Sequence, residues 1–245
     1  MKNLALLFTF SLVFASFGRA SAYEAVPVAD GAVITGEVVF KGKAPEPKKL
    51  LIMKDEGVCG EGYIERREID VGNDGALKDV VVFLEGVKKG KAWEEPAEAY
   101  VLDQEGCAFR PYLQIIPRGT KLTILNSDPI LHNIHTYELI GRVRKDLFNI
   151  AQPKFRPKVS QTVTTTRGNT IRVECDAHNW MLGWIYVVDN PYYAVVGEDG
   201  AFTLGDIPPG TYKVKAWHPF LGVKEREVSL PPRAKGQIGF EFLAK

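Results

Sequence analysis

Histidine, cysteine and methionine are all scarce in this chain: four, three and three among 245 residues, with one methionine at position 1. Charge of one sign is also missing, since 31 lysines and arginines face 30 aspartates and glutamates. The densest charged stretch, Glu65-Arg66-Arg67-Glu68, mixes signs and reads as a solvated strand or turn. The concentrated basic face of a nucleic-acid binder is absent, so no nucleic-acid partner is expected. Gly-x-Ser-x-Gly, His-Glu-x-x-His and a glycine-rich phosphate loop do not occur, and neither does the Cys-x-x-Cys-His of haem attachment. No catalytic residue is assigned, and the chain is read as not an enzyme.

Long apolar runs are missing too, apart from the one that begins the sequence. Lys2 gives a positive start, Leu4 to Phe17 is almost wholly apolar, and Ala20-Ser21-Ala22 offers small residues for cleavage before Tyr23. The run falls short of the ~20 residues that span a bilayer. Residues 1–22 are therefore expected to be a signal peptide removed near Ala22. The mature chain is expected to be periplasmic or secreted, with no membrane span. In such a compartment thiols pair by oxidation, and an odd count of Cys59, Cys107 and Cys175 leaves one for another task.

No apolar pattern at helical spacing persists beyond about two turns, whereas short β-branched and aromatic runs recur between glycine and proline turns. They include Val33 to Phe40, Val80 to Leu84, Leu113 to Ile116, Lys121 to Leu125, Thr170 to Cys175, Trp184 to Val188 and Tyr212 to Trp217. The rhythm is all-β, one sandwich or several. Arg142 to Ile150 reads as a short helix or an irregular loop. Three parts are expected: residues 23–98, with strands around Val33 and Val80; residues 99–189, a compact middle block with three of the four histidines; and residues 190–245. An echo links the outer parts, Val71-Gly72-Asn73-Asp74-Gly75 against Val196-Gly197-Glu198-Asp199-Gly200. Each Asp-Gly pair suits a tight turn, because glycine accepts positive φ freely. A duplicated module and two unrelated hairpins both fit.

The chemistry lies in Cys175-Asp176-Ala177-His178-Asn179-Trp180-Met181, where a thiol, an imidazole and a thioether fall within seven residues. A copper ion that cycles between two oxidation states suits a soft thiolate, two imidazoles and a weak axial thioether. This loop supplies three of the four. Period-two alternation in Ile171-Arg172-Val173-Glu174-Cys175 turns Cys175 inward with Ile171 and Val173. The second imidazole has two candidates, His132 and His135, which alternation sends to opposite faces unless a bulge intervenes; His132 is favoured. Zinc is the competing metal, although structural zinc sites use more cysteine or histidine and seldom methionine.

On these residues the middle block resembles the cupredoxins, the small blue copper proteins, in their plastocyanin and amicyanin branch. Asn126 followed by His132-Asn133 matches the family's upstream histidine. Cys175, His178 and Met181 match the amicyanin-type loop, with two residues in each gap. Phe109-x-Pro111, Pro117-x-Gly119 and Gly183-Trp184-Ile185 add to the likeness. The resemblance implies a Greek-key cupredoxin β-sandwich holding one mononuclear copper, with His132, Cys175, His178 and Met181 as ligands. It implies single-electron transfer with a redox protein partner such as a cytochrome or a dehydrogenase. It also implies that Asn133 braces the cysteine loop, and that His178 breaks the surface as the electron exit, with Trp180 in the docking face. Four histidines are too few for the additional clusters of a multicopper oxidase or nitrite reductase.

The whole chain is similar to exported proteins of the methylamine-utilisation or plastocyanin-like type, and Asp199-Gly200-x-Phe202 with Pro208-Pro209-Gly210-x-Tyr212 resembles a carboxypeptidase regulatory-like or transthyretin-like β module. With Cys175 given to the metal, Cys59 and Cys107 are expected to form a disulfide; a second thiol site is the alternative. His218 is expected to be an ordinary core histidine beside Trp217. The competing functional reading is a copper-binding or delivery protein without redox work, or a cell-envelope interaction protein.

Overall fold

The computed structural model describes residues 23–94 and 100–244. The leader expected over residues 1–22 lies outside the described residues. The all-β expectation holds: apart from a one-turn α-helix, Glu56–Cys59, and a short 3-10 turn, Asn73–Gly75, the described elements are strands. No helix among the described residues is long and apolar enough to cross a membrane.

Two sandwiches share the chain. In the inner one, Lys158–Thr162, Lys121–Asn126, Val101–Gln104 and Phe109–Arg110 form one sheet in that order. Val143–Gln152, His132–Ile140, Thr170–Glu174, Leu182–Val188 and Leu113–Pro117 form the facing sheet. Ile116, Leu122, Ile124, Ile134, Ile171, Val173 and Ile185 fill the space between them. They are the inward positions of alternating strands, which is why these segments bury one face of a pleat.

The outer sandwich is built from both flanks of the sequence. Val81–Leu84 lies between Tyr193–Val195 and Gly210–His218, with Gly222–Leu230 at the edge. Ala32–Lys41 lies between Ala201–Ile207 and Lys235–Leu243. The strands expected in residues 23–98 and in 190–245 thus occupy the same two sheets, over a common core that includes Ile34, Phe40, Leu84, Phe202 and Phe240. The two Asp-Gly turns meet on Val38: its N–H donates to Gly200 O (2.8 Å), and its carbonyl accepts from Leu77 N–H (3.1 Å). Asp74, Gly75 and Gly200 all take positive φ there.

Leu182–Val188 joins the two sandwiches and is buried at every position. Ile185 and Val187 face the inner core, whereas Leu182, Trp184, Tyr186 and Val188 face Val81 and Trp217 of the outer sandwich. A strand buried on both faces reads as a continuous apolar run, as this one does.

Arg142 to Ile150 departs from its expected helix or loop. Arg142 belongs to the turn with Gly141 (φ 60°), and the rest lies in the strand Val143–Gln152, paired antiparallel with His132–Ile140. The strand's first four residues are exposed, so ladder hydrogen bonds rather than an apolar stripe define it.

Candidate metal centre

The site forms where the start of His132–Ile140 meets the loop after Thr170–Glu174. Antiparallel pairing sets His135 opposite Glu174, which brings His132 and Asn133 alongside Cys175. The loop then makes two successive turns: His178 N–H donates to Cys175 O (3.3 Å), and Met181 N–H donates to His178 O (3.0 Å). That three-residue repeat is the physical meaning of the spacing in the sequence.

Asn133 holds this loop in shape. Its Oδ1 accepts from the N–H groups of Asp176 (2.6 Å) and Ala177 (3.2 Å), and its Nδ2 donates to Asn149 Oδ1 (2.7 Å) and Asp176 Oδ2 (3.0 Å). Its backbone N–H points at Cys175 Sγ, 3.5 Å away. Burial pushes the Cys175 thiol up, outweighing the N–H groups of Asn133, Ala177 and His178 that pull it down.

The donor atoms converge. His132 Nδ1 lies 2.9 Å from His178 Nδ1, and Cys175 Sγ lies 3.9 Å from the first and 3.6 Å from the second. All three residues are buried. The point equidistant from these atoms is about 2 Å from each, the range of a first-row metal bond to nitrogen or sulfur. Met181 is buried in the same core cluster as Cys175. His135 is turned away, as alternation predicts. Its Nδ1 meets Asp176 (3.0 Å) and its Nε2 meets Asp146 (2.8 Å). Burial would lower this imidazole, but the two carboxylates prevail and hold it above its ordinary value.

Two aspartates complete the surroundings. Asp128 Oδ2 lies 2.9 Å from His132 Nε2 and also accepts from Cys107 N–H (2.8 Å), while Oδ1 accepts from Gly106 N–H (2.8 Å). Burial works to raise Asp128, but these donors outweigh it and hold the carboxyl below its ordinary value. Asp55 Oδ2 lies 2.9 Å from His178 Nε2. Sequence reasoning picked out neither. Asp128, four residues before His132, stands between Asn126 and His132; Asp55 is 123 residues from its partner and gave no signal. Because a carboxylate only accepts, each histidine, when neutral, donates from Nε2 and keeps its lone pair on Nδ1. The two lone pairs, with the sulfur, face one small volume.

The expected surface position of His178 is not found. Its side chain is 0% exposed, because Asp55 covers the ring nitrogen that faces outward. Trp180 is likewise buried, 5.0 Å between ring centroids from His178, rather than part of an open docking face. The expected disulfide is present, Cys59 to Cys107 with an S–S distance of 2.04 Å. His218 is a buried histidine close to Trp217, with Nδ1 accepting the N–H groups of Phe220 and Leu221.

No protein-family profile matches the chain. No curated protein matches it either. Several solved structures resemble part of it. Amicyanin from Paracoccus versutus is 20% identical over 39% of this chain and 86% of its own, with a TM-score of 0.32. A purple cupredoxin from Nitrosopumilus maritimus is 21% identical over 36% and 99%, with a TM-score of 0.30. A copper-containing nitrite reductase from Thermus scotoductus is 20% identical over 41% and 24%, also with a TM-score of 0.30.

Proposed function

We infer that this chain is an exported cupredoxin-type protein that binds one copper ion within residues 99–189 and passes single electrons between redox proteins. The observation that carries this is the donor set: two imidazole Nδ1 atoms and one thiol sulfur, all buried, directed at a common point. Two Nδ1 lone pairs 2.9 Å apart call for a proton or a metal ion between them, and thiolate with imidazole selects copper over harder ions. Met181, buried in the same core cluster, would supply the thioether. Bound copper would supply reversible one-electron chemistry; the chain supplies fixed donors that change little between oxidation states. The two carboxylates set the histidine tautomers and raise ligand basicity. The reading is of a carrier, not an enzyme, with a cytochrome or dehydrogenase as the kind of partner. Burial of the whole donor set favours retention of the ion over its delivery.

The test is a visible absorption spectrum of the full-length protein after loading with one equivalent of cupric ion. An intense charge-transfer band that bleaches reversibly with ascorbate is expected. Cys175→Ser should abolish the band while the far-ultraviolet circular dichroism stays that of a β protein. A colourless copper-loaded wild type, or a band that survives in Cys175→Ser, rules the assignment out.

A further inference from the structure

We propose that Asp55 is a positioning residue for the metal centre, and that residues 48–66 are a fixed cover that holds the loop histidine in place and slows metal exchange. The proposal rests on the copper reading above and adds to it a part of the chain far from the ligand motif.

The cover is a small unit of its own. Lys48–Leu51 pairs antiparallel with Tyr63–Arg66, and the one-turn helix Glu56–Cys59 lies between them. Ile52 is buried in the inner core, with Leu50, Cys59 and Ile64 packed against the same cluster. Asp55 precedes the helix in a left-handed conformation (φ 54°), and its carbonyl accepts the N–H groups of Val58 and Cys59, both at 2.9 Å. Its backbone is therefore tied to the cysteine that bonds Cys107. The N–H of Cys107 in turn donates to Asp128, the carboxylate behind His132. A single disulfide thus joins the supports of both histidines, Asp55 behind His178 and Asp128 behind His132.

This arrangement has two consequences. The imidazole of His178 cannot rotate away without losing its bond to Asp55, so its Nδ1 stays on the donor triangle. A carboxylate on the far ring nitrogen also places negative charge next to a ligand, which favours the more positive oxidation state of the ion and lowers its reduction potential.

The test uses the full-length, copper-loaded protein and four variants. Three quantities are read: the rate at which a cuprous chelator, bathocuproine disulfonate, removes copper from the reduced protein; the cupric electron paramagnetic resonance spectrum; and the reduction potential by voltammetry. Asp55→Ala should release copper about tenfold to a hundredfold faster, with an altered hyperfine pattern and a raised potential. Asp55→Asn keeps an acceptor for Nε2–H without the charge, so it should restore slow release yet keep the raised potential. The double variant Cys59→Ala, Cys107→Ala should follow Asp55→Ala in release rate. If Asp55→Ala matches wild type in all three while Cys175→Ser loses its colour, the copper reading stands and the role of Asp55 is overturned. A wild type that takes up no copper overturns both.

Discussion

A buried imidazole has two ring nitrogens to satisfy, and the four histidines differ in how they do so. His132 and His178 each give Nε2 to a carboxylate and turn Nδ1 toward Cys175. His135 gives both nitrogens to acidic groups outside the core. His218 accepts two backbone N–H groups at Nδ1 and leaves a buried Nε2 with no hydrogen-bond partner among the described residues. Burial pushes His218 down to about 4 from 6.5. The unfolded chain therefore takes up a proton that the folded chain refuses. The stabilising contribution is whole above pH 6.5 and is lost as pH falls toward 4, on the order of 3 kcal/mol in all. His218→Asn, which keeps an acceptor for the two N–H groups, should remove this slope; urea unfolding across that window measures it. Asn133→Ala should cost about 1–3 kcal/mol by the same method, because the N–H groups of Asp176 and Ala177 lose their acceptor. At this scale the sequence was informative about the ligand loop, where spacing converts directly into turns. It was silent about Asp55, whose contact exists only through tertiary packing.

Strands were legible wherever burial on one face imposed alternation, as in Thr170–Glu174 and Gly210–His218. Val143–Gln152 was not, because an edge strand with charged residues at Arg144, Lys145 and Asp146 carries no apolar stripe and is defined by its neighbour's hydrogen bonds. The partners of each strand were hidden as well. Ala32–Lys41 is covered on one side by Ala201–Ile207 and on the other by Lys235–Leu243, both far away in sequence. Its Gly36 shows how close that fit is: an added Cβ would run into the carbonyl of Ile238 and the ring of Phe202. Gly36→Ala should destabilise the outer sandwich by about 1–3 kcal/mol or more, measured as a fall in its melting temperature, with the copper spectrum unchanged. The short helix at the cover depends on its disulfide rather than on its own length. Closing the 48-residue separation contributes about 4 kcal/mol in the loop-entropy account.

In the whole molecule, the two sandwiches meet through Leu182–Val188. Trp217 lies 4.7 Å from Tyr186 and 6.2 Å from Trp184, centroid to centroid. Trp217→Ala should cost about 3–5 kcal/mol and weaken the coupling, so that calorimetry resolves two transitions of which copper raises one. Nothing local in the sequence announced this arrangement, since residues 23–98 and 190–245 look like independent parts until their strands are seen to interleave. Val33 pairs in parallel with Lys235, across almost the full span of the described chain. During synthesis the polypeptide that makes up the inner sandwich is therefore all available before the outer one can be zipped shut. The order of manufacture thereby runs from the inside outward, with Ala32–Lys41 left waiting for Lys235–Leu243 to arrive.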